Sequence, residues 1–258
     1  MSKISLLKKE ELFQIPVPKG TATYVPISNK GLISTVDARL SDYGFKVCSE
    51  QFQTAESGQI MIAKYGIQSE NDEIAMMLAF GNSYNKTRKV SIAAGGQVII
   101  CCNGMVKGDF VSMRKHNGSI SYDLNSLIED AIQSMGIKHS SLLEDTKQLK
   151  EYQFNNRKEF ISLIGDMYFN HQFLNTVQLN IIKREIQYSE HFAMLTPNQL
   201  TAWNLYNNVT EALKVAHPTE YISSHKALHA LMMDYVRPQK VENIDWDFAL
   251  FQEASIEG

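Results

Sequence analysis

NKTRKVSIAAGGQVIICCNGMVKGDFVSMRKH, Asn85–His116, is the stretch on which the reading of this chain turns. Apolar and polar residues alternate through much of it, the pattern of strands that lay one face on a core. RKVSIAAGGQVIICCN and VKGDFVSMRKH read as two strands, with NGMVKG as the hairpin turn between them. Gly95-Gly96 inside the first predicts a bulge or bend, because glycine weakens regular pairing.

Working outward, FKVCSEQFQ, GQIMIAKYGIQ and EIAMMLAFGNS alternate in the same way and bring the sheet to four or five mostly antiparallel strands. Ahead of them, Leu32, Ile33, Val36, Leu40 and Tyr43 make one apolar stripe, which predicts a helix from about Lys30 to Tyr43. Ser28 or Asn29 can cap it, and Gly44 ends it in the left-handed position. Residues 1–27, with Pro16, Pro18 and Pro26, predict an extended segment.

From Asp123 the period changes to about 3.6. Asp123 can cap a helix carrying Leu124, Leu127, Ile128, Ala131, Ile132 and Met135, with Gly136 as its stop and another helix from Ser140 or Ser141. Lys158–Ser189 is helical in pattern with a break near Asn175. Thr196-Pro197 is a start signal for a helix to about Ala216, and the last helix covers roughly Thr219–Tyr235. Strands first and helices after make an α+β fold: an N-terminal helix, an antiparallel sheet of four to five strands, then a mostly helical C-terminal half. The expected organisation is a single domain over 28–236, with a sheet part (28–120) and a helical part (121–236), followed by an acidic tail, 237–258.

The 258 residues are 44% hydrophobic and 21% charged, as in an ordinary globular protein large enough to need no disulfide or metal for its core. Three cysteines, Cys48, Cys101 and Cys102, fit a reducing compartment. No apolar run approaches the ~20 residues of a membrane span, and the first residues lack a signal peptide's apolar core. A cytoplasmic protein without a membrane partner is expected. The net charge of −3 excludes a strong overall polyanion binder. Its distribution is uneven: Lys86, Arg88, Lys89, Lys107, Arg114 and Lys115 face a single Asp109 in the opening stretch, whereas the segment after Lys240 carries Glu242, Asp245, Asp247, Glu253 and Glu257 with no basic residue.

Several chemistries find little support. Cys101 and Cys102, as strand neighbours, point to opposite faces and do not share one ion, and no second cysteine pair stands at zinc-ligand spacing. His225 and His229 are four apart on a predicted helix, which suits two metal ligands, but Lys226 stands where the zinc-protease motif needs Glu. AAGGQ has strand on both sides and is no phosphate loop. No nucleophile elbow is present, and the paired carboxylates sit in polar turns or on helices. Neither a cofactor nor a metal is expected, and the balance leans away from an enzyme.

The basic clusters carry more. A hairpin brings Lys86, Arg88 and Lys89 to the same sheet end as Arg114, Lys115 and His116, with Tyr84 and Phe110 as candidate stacking surfaces. Such a patch would bind phosphates in a salt-dependent way, and stacking would favour single strands. The plainer alternative is that charged residues flank strands in any globular protein. Trp246, Phe248 and Phe251 among the carboxylates of the tail make a candidate docking peptide, for a partner or for the basic sheet, or else pack back on the helices.

The chain also resembles the phage/plasmid-like protein family of unknown function, sometimes called LtrC-like. The residues that carry the resemblance are Asn82-Ser83 before the central strand, Cys102-Asn103 at its end, Lys115-His116 closing the next strand, and TAWNLYNNVTEALK, Thr201–Lys214. It covers roughly Gly31–Val215 and departs at Asn85-Lys86, where the commoner pattern has Asp-Gly, and at Asn117, where it has threonine. What the resemblance implies is a gene of bacteriophages, plasmids and related elements, serving DNA replication, recombination or interference with the host. The helix–hairpins–helices order is also similar, as architecture only, to single-strand annealing proteins.

Three functions therefore stand open. The first is a non-enzymatic accessory protein that binds single-stranded DNA through Lys86, Arg88, Lys89, Lys107, Arg114 and Lys115, with Tyr84 or Phe110 stacking on bases. The second is a factor that captures a host or phage protein through its tail. The third is an enzyme with a fold-assembled site near His225, His229 and His116. A homo-oligomer is compatible with all three, since striped helices such as Phe160–Ile182 pack equally well within or between subunits.

Overall fold

The computed structural model describes residues 4–99, 103–107, 111–188 and 199–237. Within them, β1 (Ser5–Leu7), β2 (Val47–Ala55), β3 (Ile60–Ile67), β4 (Ile74–Ser83), β5 (Val90–Val98), β6 (Asn103–Met105) and β7 (Val111–Arg114) form one antiparallel sheet in the order β1-β2-β3-β4-β5-β6, with β7 also on β5. The helices are α1 (Lys9–Phe13), α2 (Asn29–Asp42), α3 (Ile120–Gln133), α4 (Met135–Glu151), α5 (Arg157–Phe169), α6 (Thr176–Tyr188), α7 (Ala202–Leu213) and α8 (Tyr221–Val236). The expected α+β order is the observed one.

Local signals act as anticipated in α2. The Ser28 hydroxyl accepts from the Gly31 N–H, Leu32, Ile33, Val36 and Leu40 are buried, and Gly44 follows at φ 74°. Elsewhere tertiary contacts override them. The N-terminal segment is not simply extended: β1 pairs with β2, Leu12 of α1 is fully buried, and Lys9 bridges Asp37 and Glu50. One buried leucine contributes roughly 1.5–3 kcal/mol, enough to anchor five helical residues that could not hold a helix alone. α3 starts at Ile120, with Ser119 rather than Asp123 at its cap, and α4 starts at Met135, so Gly136 lies inside its first turn.

The hairpin differs too. NGMVKG is not the turn: Asn103–Met105 is itself strand, paired with Gly96–Val98, so the chain reverses between Val98 and Asn103. Cys101 and Cys102 belong to that interval and lie outside the described residues. β7 then pairs with Val90–Ala93. Gly96 pairs with Met105 and Ala93 with Val111, so the registers of β6 and β7 on β5 do not run on from one another. Gly95-Gly96 stays in regular register with Met77 and Met76. A side chain at Gly95 would strike the Met105 carbonyl, so the glycine serves a close backbone approach.

The alternation of β3–β5 separates two apolar faces. Phe52, Ala63, Tyr65, Leu78, Phe80, Ile92 and Ala94 pack under α2 and α3. Ile62, Met77, Ala79 and Ala93 meet Tyr221 and Ile222 at the start of α8. A third cluster joins α4–α8 and reaches the sheet at Ile74, Val98 and Met105. Phe160 and Ile182 are buried within this core, while Ile161, Phe169, Val177 and Tyr188 remain exposed on α5 and α6. No helix among the described residues is long and apolar enough to cross a membrane.

Candidate anion-binding site

One end of the sheet is built around the β4–β5 turn. Asn85 pins it: its Oδ1 accepts from the Thr87 N–H (3.1 Å) and the Thr87 and Ser83 hydroxyls (2.6 Å each), and its Nδ2 donates to Glu56 (2.6 Å). Lys86 takes a left-handed conformation (φ 66°), which places its Nζ 5.0 Å from the Tyr24 ring centroid. Arg88 and Lys89 follow, both exposed. The Val90↔Arg114 register lays Arg114 and Lys115 beside them, also exposed, so the two basic clusters meet as expected although the hairpin turn was misplaced. None of these five cations forms a salt bridge among the described residues.

Beneath the turn lies a cavity of about 290 Å³. Its floor comes from β3–β5 (Ile60, Gly81, Asn82, Ser91), one wall from Pro218, Thr219, Ile222 and Ser223, and its rim from Thr87, Arg88, Lys89 and Met113. Cationic and hydroxyl groups above apolar walls suit an anion with an apolar body. The wall beginning at Pro218 is what sequence reasoning missed, since no local signal ties residues more than a hundred positions apart.

The remaining expected site residues fall elsewhere. Tyr84 is 3% exposed; burial raises its phenol pKa, and its oxygen accepts from the Asn29 N–H at 2.7 Å. It is a structural post and offers no stacking face. Phe110, Trp246, Phe248 and Phe251 lie outside the described residues. Lys107 is engaged away from the basic end, donating to Ser141 (2.9 Å) and pairing with Asp145 (3.2 Å). His116 is buried against Tyr24, with burial lowering its pKa.

The two α8 histidines share no ligand position. His225 is buried under Tyr221, 4.4 Å between ring centroids; burial and then the nearby Lys64 charge push its pKa down to about 3, against the Gly104 carbonyl, so it is neutral at pH 7. His229 instead bridges Asp145 (3.0 Å) and the Tyr206 hydroxyl (3.3 Å). Asp145 is the hub: burial pushes its carboxyl up, but His229 and Lys107 outweigh that and hold it down at about 2, while Arg237 adds a 2.6 Å contact. Among the described residues no three His, Cys, Asp or Glu side chains converge as a metal site would require. The Tyr206–His229–Asp145 chain is buried and ties α7, α8 and α4 together, the geometry of a core fastening.

The motif residues from the sequence are likewise fastenings. Asn82 donates to Ile27 and Asn29 (2.8 Å each), and Asn103 of β6 donates to the Asn207 carbonyl of α7 (3.2 Å), tying sheet to helices. Residues 20–245 match the family model described as a domain of unknown function, DUF932, and the chain belongs to that family. No curated protein and no solved structure matches it.

Proposed function

We propose that this DUF932 protein is a non-enzymatic accessory factor of a phage or mobile element that binds single-stranded DNA at the basic sheet end during replication or recombination. The observation that supports this reading is the convergence of Lys86, Arg88, Lys89, Arg114 and Lys115, unpaired among the described residues, at one end of the sheet, where Arg88 and Lys89 also line a cavity. Cations held together without counter-charges cost stability through mutual repulsion, and an anionic ligand removes that cost. Lys107 and Tyr84 take no part, since one is bound to Asp145 and the other is buried. The mobile-element setting is the one implied by the family resemblance of the sequence.

Fluorescence anisotropy with a labelled single-stranded oligonucleotide tests the proposal. Each phosphate contact in a single strand contributes a slope of about −0.7 in log K against log salt. Arg88→Glu with Arg114→Glu should abolish most binding and flatten that slope by at least two contacts' worth. Absence of binding at low salt, or binding indifferent to the double reversal, defeats the reading.

A further inference from the structure

The cavity says more about the ligand than the surface charge does. A basic surface alone tracks a phosphate backbone with no seat for any single residue of the strand. Here Arg88 and Lys89 stand on the rim of a partly open hollow whose lining is largely apolar and includes Ile60, Met113, Pro218 and Ile222. At about 290 Å³ it lies at the lower bound of small-ligand pockets, roughly 300–1,000 Å³, so it has room for one nucleotide and not for a run of them. Met113 is 46% exposed, and a flexible, polarizable thioether at the mouth is suited to lie on the face of a base. Arg88 and Lys89 supply forked and point-like donors for a phosphate, and the Ser91 hydroxyl adds an uncharged one.

We infer that the cavity seats a single nucleoside monophosphate group bearing a terminal phosphate, with the phosphate on Arg88 and Lys89 and the base against Met113 and Ile222. This rests on the proposed nucleic-acid function and deepens it: the protein grips a phosphorylated strand end, or a free nucleotide of the same chemistry, rather than coating a strand. A terminal monoester carries more charge than an internal diester, and charge-assisted hydrogen bonds to it favour the end over the middle by roughly tenfold.

The test compares full-length protein with a short oligonucleotide carrying a terminal phosphate at either end, its unphosphorylated twin, dAMP, and inorganic phosphate as competitors. A phosphorylated end should bind about tenfold tighter than the twin, and dAMP should displace it better than phosphate does. Arg88→Ala should remove the end preference. Met113→Ser, at a half-exposed site, should weaken dAMP severalfold while leaving inorganic phosphate unchanged, and Lys226→Ala on the exposed side of α8 should change neither. Equal affinity for both oligonucleotides with no displacement by dAMP overturns the inference yet leaves salt-dependent strand binding intact. Phosphate competing as well as dAMP overturns the nucleotide assignment. Failure of every oligonucleotide to bind removes the underlying function as well. Displacement by dAMP without end preference points to the free nucleotide as the ligand and overturns strand-end capture.

Discussion

Asp145→Asn isolates the charge that closes the helical half on the sheet. The carboxylate is 2% exposed and meets three groups: His229 Nε2 at 3.0 Å, Lys107 Nζ at 3.2 Å and an Arg237 nitrogen at 2.6 Å. Holding it at about 2 rather than at its ordinary 3.8 corresponds to about 2 kcal/mol of folding stability at pH 7. The amide keeps one acceptor for His229 but loses the charge that Lys107 and Arg237 answer. Those two are 27% and 45% exposed and can turn to water, so the loss stays near 2–3 kcal/mol, below the ~3–5 of a wholly buried pair. The sign of the pH dependence follows from the depressed pKa. The contribution is complete above the unfolded value near 3.8 and disappears as pH falls through the folded value near 2. Urea unfolding at pH 7 should show the variant less stable by about 2–3 kcal/mol, and the gap should narrow steadily below about pH 4. A gap under ~0.5 kcal/mol at pH 7, or one that does not change with acid, would falsify the assignment of Asp145 as an ionised hub.

Two further outcomes check the packing. Leu12→Ala should cost roughly 2–5 kcal/mol in chemical denaturation, because that side chain is fully buried under α2; a loss near zero would mean that α1 does not hold the edge of the sheet. Gly95→Ala should cost roughly 1–3 kcal/mol and lower the thermal midpoint, since its methyl meets the Met105 carbonyl and not a yielding side chain; an unchanged midpoint would refute the close approach of β6.

Period and capping were legible in the residues themselves. The alternation in GQIMIAKYGIQ and EIAMMLAFGNS, the stripe of α2, and the Ser28 cap depend on neighbours within one or two turns, and these elements form where the spacing places them. The meeting of Arg88 and Lys89 with Arg114 and Lys115 was legible for a similar reason. Any antiparallel pairing of those two strands brings their outer ends together, wherever the turn between them falls.

What a residue touches across the fold was not legible. Tyr84 and Lys107 have the composition of a nucleic-acid surface, yet Asn29 claims the one and Asp145 the other, and both partners are remote in the chain. The cavity exists only because the start of α8 lies over a sheet built far earlier in the sequence. Sequence by itself determined the type and order of the elements, since local sterics and periodicity act within a few residues. Tertiary structure decided which charges stay free and where the hollow lies, because burial and ion pairing depend on residues that only the folded chain brings together.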